Sequence, residues 1–135
     1  MIFVDTNILI DVVEDDPIWG DWSRQQLVNG AGLGEVAIND VVFAELAIGY
    51  QTLEDLEAMI ARLGIVVASI PRVALFIAGK AYQRYRASGG IRTGVLPDFF
   101  IGAQALVAGA ELITRDVGRY RTYFPGLALI APRPN

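Results

Sequence analysis

Residues 1–13, MIFVDTNILIDVV, pass from an apolar run, Ile2-Phe3-Val4, to an acid, Asp5, and then to Thr6-Asn7 ahead of ILIDVV. Three apolar residues followed by a helix-capping pair read as strand, turn, helix, with a carboxylate at the carboxyl end of the strand. Further apolar runs of the same kind lie at Val36-Ala37-Ile38, at IVVASI over 65–70, at Leu112-Ile113-Thr114 and at Ala128-Leu129-Ile130. Helical patterns separate them. One begins at Asp16-Pro17 and runs to about Asn29 before a loop at Gly30-Ala31-Gly32, and another follows Asn39 as its cap and ends at Gly49. Thr52 and Asp55 resemble a capping box ahead of Leu53, Leu56, Met59, Ile60 and Leu63, and a further helix follows Pro71 to about Ala87. After a loop from Ser88 to Leu96, Pro97-Asp98 opens FFIGAQALVAGA, apolar over most of its circumference and therefore buried centrally. All-apolar short strands alternating with helices predict an α/β fold of three layers, a central, mostly parallel sheet of four to five short strands flanked by helices.

The chain of 135 residues, 53% hydrophobic, fits a single domain over 1–135. Its longest uncharged stretch lies between Asp98 and Glu111, too short for a membrane span. No basic region precedes the first apolar residues, so they do not read as a signal peptide, and a cytoplasmic location is expected. The chain has no cysteine and no histidine, which excludes disulfides, thiolate or imidazole zinc sites, cysteine nucleophiles and histidine triads. Carboxylates and a hard metal are the tools that remain. Charge is strongly segregated: residues 1–61 carry 12 acids and one base, a net of −11, and residues 62–135 carry ten bases and three acids, a net of +7, giving −4 overall. The basic half either meets a polyanion or neutralises the acidic half within the fold.

Ligands of open parallel sheets bind beyond the carboxyl ends of the strands. Asp5 and Asp116 belong at such ends, Asp98 opens the buried helix, and Glu45 sits among apolar neighbours in VVFAELAIG. Singly, Asp98 also serves a helix start, Asp116 a turn, and Glu45 a solvated stripe or an ion pair with an arginine. Asp5 is harder to assign to an ordinary role, because an acid directly after a buried strand must be desolvated or coordinated. Four carboxylates in one pocket repel, by about 3 kcal/mol for a pair ~5 Å apart at an effective dielectric near 20. A divalent cation removes that cost, and all-oxygen ligands favour Mg²⁺ or Mn²⁺.

The pieces VDTNILID, FAELAIGY, LPDFFIGAQAL and LITRDVGRYRTYFPGLALIAP, in this order over nearly the whole chain, resemble the PIN-domain ribonucleases, specifically the VapC toxins of toxin–antitoxin pairs. The resemblance implies metal-dependent endonucleolytic cleavage of RNA, a cognate antitoxin as partner and a homodimer. It implies that Asp5, Glu45, Asp98 and Asp116 form the catalytic quartet, with Asp5, Asp98 and Asp116 as metal ligands. Thr6, Asn7 and Thr114 would orient those carboxylates or a water, and Arg115 and Arg119 would meet RNA phosphates, although capping for Thr6 and Asn7, a plain strand ending for Thr114 and ion pairing for the arginines also account for them. A housekeeping PIN nuclease for RNA processing is the nearest alternative. A phospho-aspartate transfer domain built on Asp5 is another; it needs a lysine at the phosphate, and Lys80 falls inside a predicted helix. The high apolar content further predicts an exposed apolar groove or dimer face on the helices from Val41 to Leu63, into which an antitoxin helix would dock and send an arginine or lysine to the acids.

Overall fold

The computed structural model describes residues 1–91 and 95–133. Residues 92–94 of the expected loop, and the last two residues, lie outside them. Five strands, β1 (Ile2–Val4), β2 (Val36–Asn39), β3 (Ile65–Ala68), β4 (Glu111–Ile113) and β5 (Leu129–Ile130), form one sheet in the order β3-β2-β1-β4-β5, and every pairing is parallel. Seven helices among the described residues flank it: α1 (Thr6–Val13), α2 (Gly20–Leu33), α3 (Asp40–Ala47), α4 (Leu53–Arg62), α5 (Arg72–Ala87), α6 (Leu96–Ala108) and α7 (Gly118–Tyr123). This is the three-layer arrangement read from the sequence. A parallel sheet must be covered on both faces, and the inner strands are buried accordingly, with Phe3, Val4, Ile38, Leu112 and Ile113 at the centre of the core.

The strand order places the functional edge. From β1 the chain builds outward through β2 and β3, then returns to the other side of β1 for β4 and β5. The carboxyl ends of β1 and β4 therefore flank the point at which the order reverses, where an open sheet leaves a crevice. Helix α6 lies against β1 and β4 with Phe99, Ile101, Gly102, Ala103, Gln104 and Ala105 buried, the central position its apolar circumference requires. Gly109, at φ 64°, ends it in the left-handed conformation that favours glycine.

Three local expectations are corrected. Asp16-Pro17 forms a turn, with Asp16 Oδ2 accepting from the Ile18 and Trp19 amides, and α2 begins only at Gly20. The same helix continues through Gly30 to Leu33 instead of breaking: Gly30 does not take the left-handed conformation that ends a helix, and it is buried where a Cβ would stand 3.4 Å from Val36 Cγ2, an ordinary contact distance. β3 stops at Ala68, and the carbonyls of Ala68 and Ser69 accept from the Gln104 amide of α6 instead of extending the ladder. Helix α7 has no counterpart in the sequence reading, since six residues are too few to show a 3.6-residue period.

Candidate functional site

Asp5 is both the last extended residue after β1 and the N-cap of α1, its Oδ1 accepting from the Thr6 amide at 2.9 Å. Register with β4 sets its neighbour: Val4 pairs with Ile113 and the Asp5 amide donates to the Ile113 carbonyl, so Thr114 follows alongside. The Thr114 hydroxyl donates to Asp5 Oδ2 at 2.9 Å and accepts from the Asp116 amide at 3.1 Å, which shapes the turn carrying Asp116. The Tyr120 hydroxyl, on α7, donates to the same Oδ2 at 2.8 Å. Asp5 is 5% exposed, and burial raises its pKa against the lowering effect of these three hydrogen bonds.

The other acids converge on it. Thr6 Oγ1 donates to Glu45 Oε1 at 2.7 Å, tying α3 to the start of α1, and burial raises the Glu45 pKa. Asp98, in the first turn of α6, is pushed up to about 7 by burial and then by the charge of Asp5, with Asp116 and Glu45 adding to it and Arg119 opposing. Asp5, Glu45 and Asp116 thus each act electrostatically on Asp98, which puts the four acids within reach of one another at the same edge of the sheet. Arg119 makes an ion pair with Asp98 Oδ2 and stands 3.9 Å from Asp116 Oδ2; it supplies the pocket's positive charge. Among the described residues no three acids close around a single point as a ready-made metal cage.

The remaining expected residues fall as follows. Asn7 lies beside Asp5 and Thr6, but its buried Oδ1 has no hydrogen-bond donor among the described residues, so no orienting contact is seen. Arg115, expected at a phosphate, is committed elsewhere: it forms a two-pronged ion pair with buried Asp11, at 2.7 and 2.9 Å, beneath the ring of Trp19. Ser23 donates to the same carboxylate. This is the structural ion-pair alternative, and it clips the turn after β4 to α1. Lys80 is exposed on α5 over the Phe76 ring, 5.4 Å from its centroid, which offers nothing to the phospho-aspartate alternative.

Tyr120 escaped the sequence reading. An aromatic residue in RYRTYF resembles core packing, and no spacing marks its hydroxyl as a partner of Asp5. Its placement depends on Gly102 of α6, where a Cβ would come within 2.8 Å of the Phe124 ring and 3.1 Å of the Tyr120 ring. Beside Thr6 and Glu45 runs a groove of about 460 Å³, lined by Ile10, Val13, Leu46, Ile48 and Tyr50, with Ile48 88% exposed. It answers in part the apolar surface expected between Val41 and Leu63, but α1 forms one of its walls.

Fold and site together define an α/β domain that gathers acids at the carboxyl edge of an all-parallel sheet. The chain belongs to the PIN domain family, which it matches over residues 2–125. No curated protein sequence matches it. Among solved structures it is similar to VapBC2 from Rickettsia felis bound to a promoter DNA fragment, with 22% identity, a TM-score of 0.75 and coverage of 98% of this chain and 100% of that one. A toxin–antitoxin complex from Klebsiella pneumoniae matches at 24% identity and TM-score 0.72, covering 100% of both chains. VapBC-1 from nontypeable Haemophilus influenzae matches at 22% and 0.72, covering 97% and 98%. At these identities the likeness concerns the fold.

Proposed function

We propose that the chain is a metal-dependent endoribonuclease and the toxin of a toxin–antitoxin pair. The observation that carries this reading is the buried Asp5 carboxylate at the strand-order reversal, electrostatically joined to Glu45, Asp98 and Asp116. The donors suit Mg²⁺ or Mn²⁺: they are all oxygens, they repel one another, and Mg²⁺ commonly takes one or two carboxylates and keeps its waters, so a full cage is not required. The unpartnered Asn7 Oδ1 adds a buried acceptor at the same edge. Asp5 and Asp98, with Asp116, would hold the ion. Such an ion supplies a water of lowered pKa and a charge for the phosphoryl oxygen.

The protein's own contributions follow from the geometry. Asp5 is held by three hydrogen bonds in one orientation. Glu45, half-buried and anchored through Oε1, has Oε2 uncommitted among the described residues and a raised pKa, which suits it to hold a proton there. Arg119, which pairs with Asp98 and stands near Asp116, would be free to meet an RNA phosphate once those carboxylates hold the ion.

The structural neighbours that are antitoxin complexes support a cognate antitoxin as partner. The groove ending at Glu45 would take an apolar helix, with a basic side chain directed at the acids so that inhibition and metal binding compete. A homodimer is part of the same reading. No helix among the described residues is long and apolar enough to cross a membrane. The test is cleavage of RNA by the purified protein with millimolar Mg²⁺ or Mn²⁺: activity should vanish with EDTA and with Asp5→Asn. Cleavage that survives both treatments refutes the metal-dependent mechanism.

A further inference from the structure

An ionised carboxylate has about four lone-pair sites, two on each oxygen. On Asp5, Thr114 and Tyr120 hydroxyls occupy both sites of Oδ2, and the Thr6 amide occupies one site of Oδ1. One site remains, on Oδ1. Of the three donors, Thr6 and Thr114 sit on the chain segments that carry Asp5 and Asp116, whereas Tyr120 reaches in from α7. Its ring is 1% exposed and packed against Gly102, so the hydroxyl has little freedom to turn away.

We propose that Tyr120 is a positioning residue that sets the metal preference of the site: with Thr114 it saturates Oδ2, so that Asp5 can offer a cation only one oxygen. A single-oxygen carboxylate suits Mg²⁺ or Mn²⁺ in compact octahedral coordination. Ca²⁺, larger and tolerant of irregular geometry, gains from a carboxylate that grips through both oxygens. This inference rests on the metal-dependent reading and extends it to which ion the pocket selects.

The experiment is calorimetric titration of the full-length protein with MgCl₂, MnCl₂ and CaCl₂, in wild type, Tyr120→Phe, Thr114→Val and Thr114→Ser, with thermal unfolding recorded for each. Removing an outer hydrogen-bond partner of a ligand weakens binding by about tenfold or more. Tyr120→Phe should therefore weaken Mg²⁺ by about that factor while Ca²⁺ binding holds or strengthens. Thr114→Val should shift the Mg²⁺-to-Ca²⁺ ratio in the same direction, and Thr114→Ser, which keeps the donor, should restore the wild-type ratio. If Tyr120→Phe does not fold, the Thr114 pair decides. Variants that melt earlier yet keep the wild-type ratio overturn the proposal while leaving the metal-dependent reading standing. A wild type that binds none of the three ions overturns both.

Discussion

Asp98 should be a source of instability in the metal-free protein, and Asp98→Asn should relieve it. Its carboxyl is pushed from 3.8 to about 7 even with Arg119 beside it, so the ionised form is disfavoured in the fold. Because the folded value lies above the unfolded one, the associated stability is complete below about pH 4 and is lost as pH rises through about 7. At about 1.4 kcal/mol per pH unit, the full difference is about 4 kcal/mol. The side chain is 26% exposed, and solvent screening brings the expected cost nearer 2–3 kcal/mol. In urea unfolding with EDTA, Asp98→Asn should accordingly be more stable than wild type by about this amount at pH 8, with the gain shrinking toward zero near pH 4. With saturating Mg²⁺ the order should reverse, since the carboxylate then has a cation to bind. An Asp98→Asn variant less stable than wild type at pH 8 without metal, or a gain equal at both pH values, would refute the reasoning.

Other perturbations probe the supports of the site. Gly102→Ala should cost about 1–3 kcal/mol through overpacking against Phe124 and Tyr120, and should lower RNA cleavage because Tyr120 is displaced from Asp5; thermal unfolding and a cleavage assay measure the two effects. Asp11→Ala removes the buried half of an ion pair whose arginine is 28% exposed, together with the Ser23 hydrogen bond, and should cost about 1.5–3 kcal/mol in urea unfolding. Arg115→Ala should likewise lower stability while leaving the salt dependence of RNA binding unchanged, because its guanidinium is already paired. Wild type should gain about 2.7 kcal/mol at a Mg²⁺ concentration 100-fold above its dissociation constant, read as a rise in melting temperature that Asp5→Asn abolishes.

The strands and most helices were legible because their signals are local. Ile2-Phe3-Val4 and Leu112-Ile113 are apolar runs of strand length, and Asn39 and Thr52 cap their helices as expected, accepting from the Val42 and Asp55 amides. The limits of the reading lay where a neighbour in space decides. Gly30 signals a break in isolation, but in the fold it lies buried on the face of α2 turned to Val36 and Ile2, and the helix runs on to Leu33. Arg115 and Arg119 are four residues apart and look alike in sequence, yet one is claimed by Asp11 and the other by Asp98.

For the site, the amino-acid sequence by itself determined which side chains are on offer: histidine and cysteine are absent, carboxylates are present, and Asp5 directly follows a buried strand, where a charge must be desolvated or held by partners. That inference needs only composition and the cost of burying charge. The tertiary structure alone decided how each carboxylate is held. Asp5 and Tyr120 are separated by 115 positions, and their hydrogen bond exists because β1 lies beside β4 and Gly102 lets α7 approach. The rise of Asp98 to about 7 likewise depends first on its burial and then on charges that Asp5, Asp116 and Glu45 bring from three other segments. Such couplings fall off with distance in space, which the order of residues along the chain does not encode.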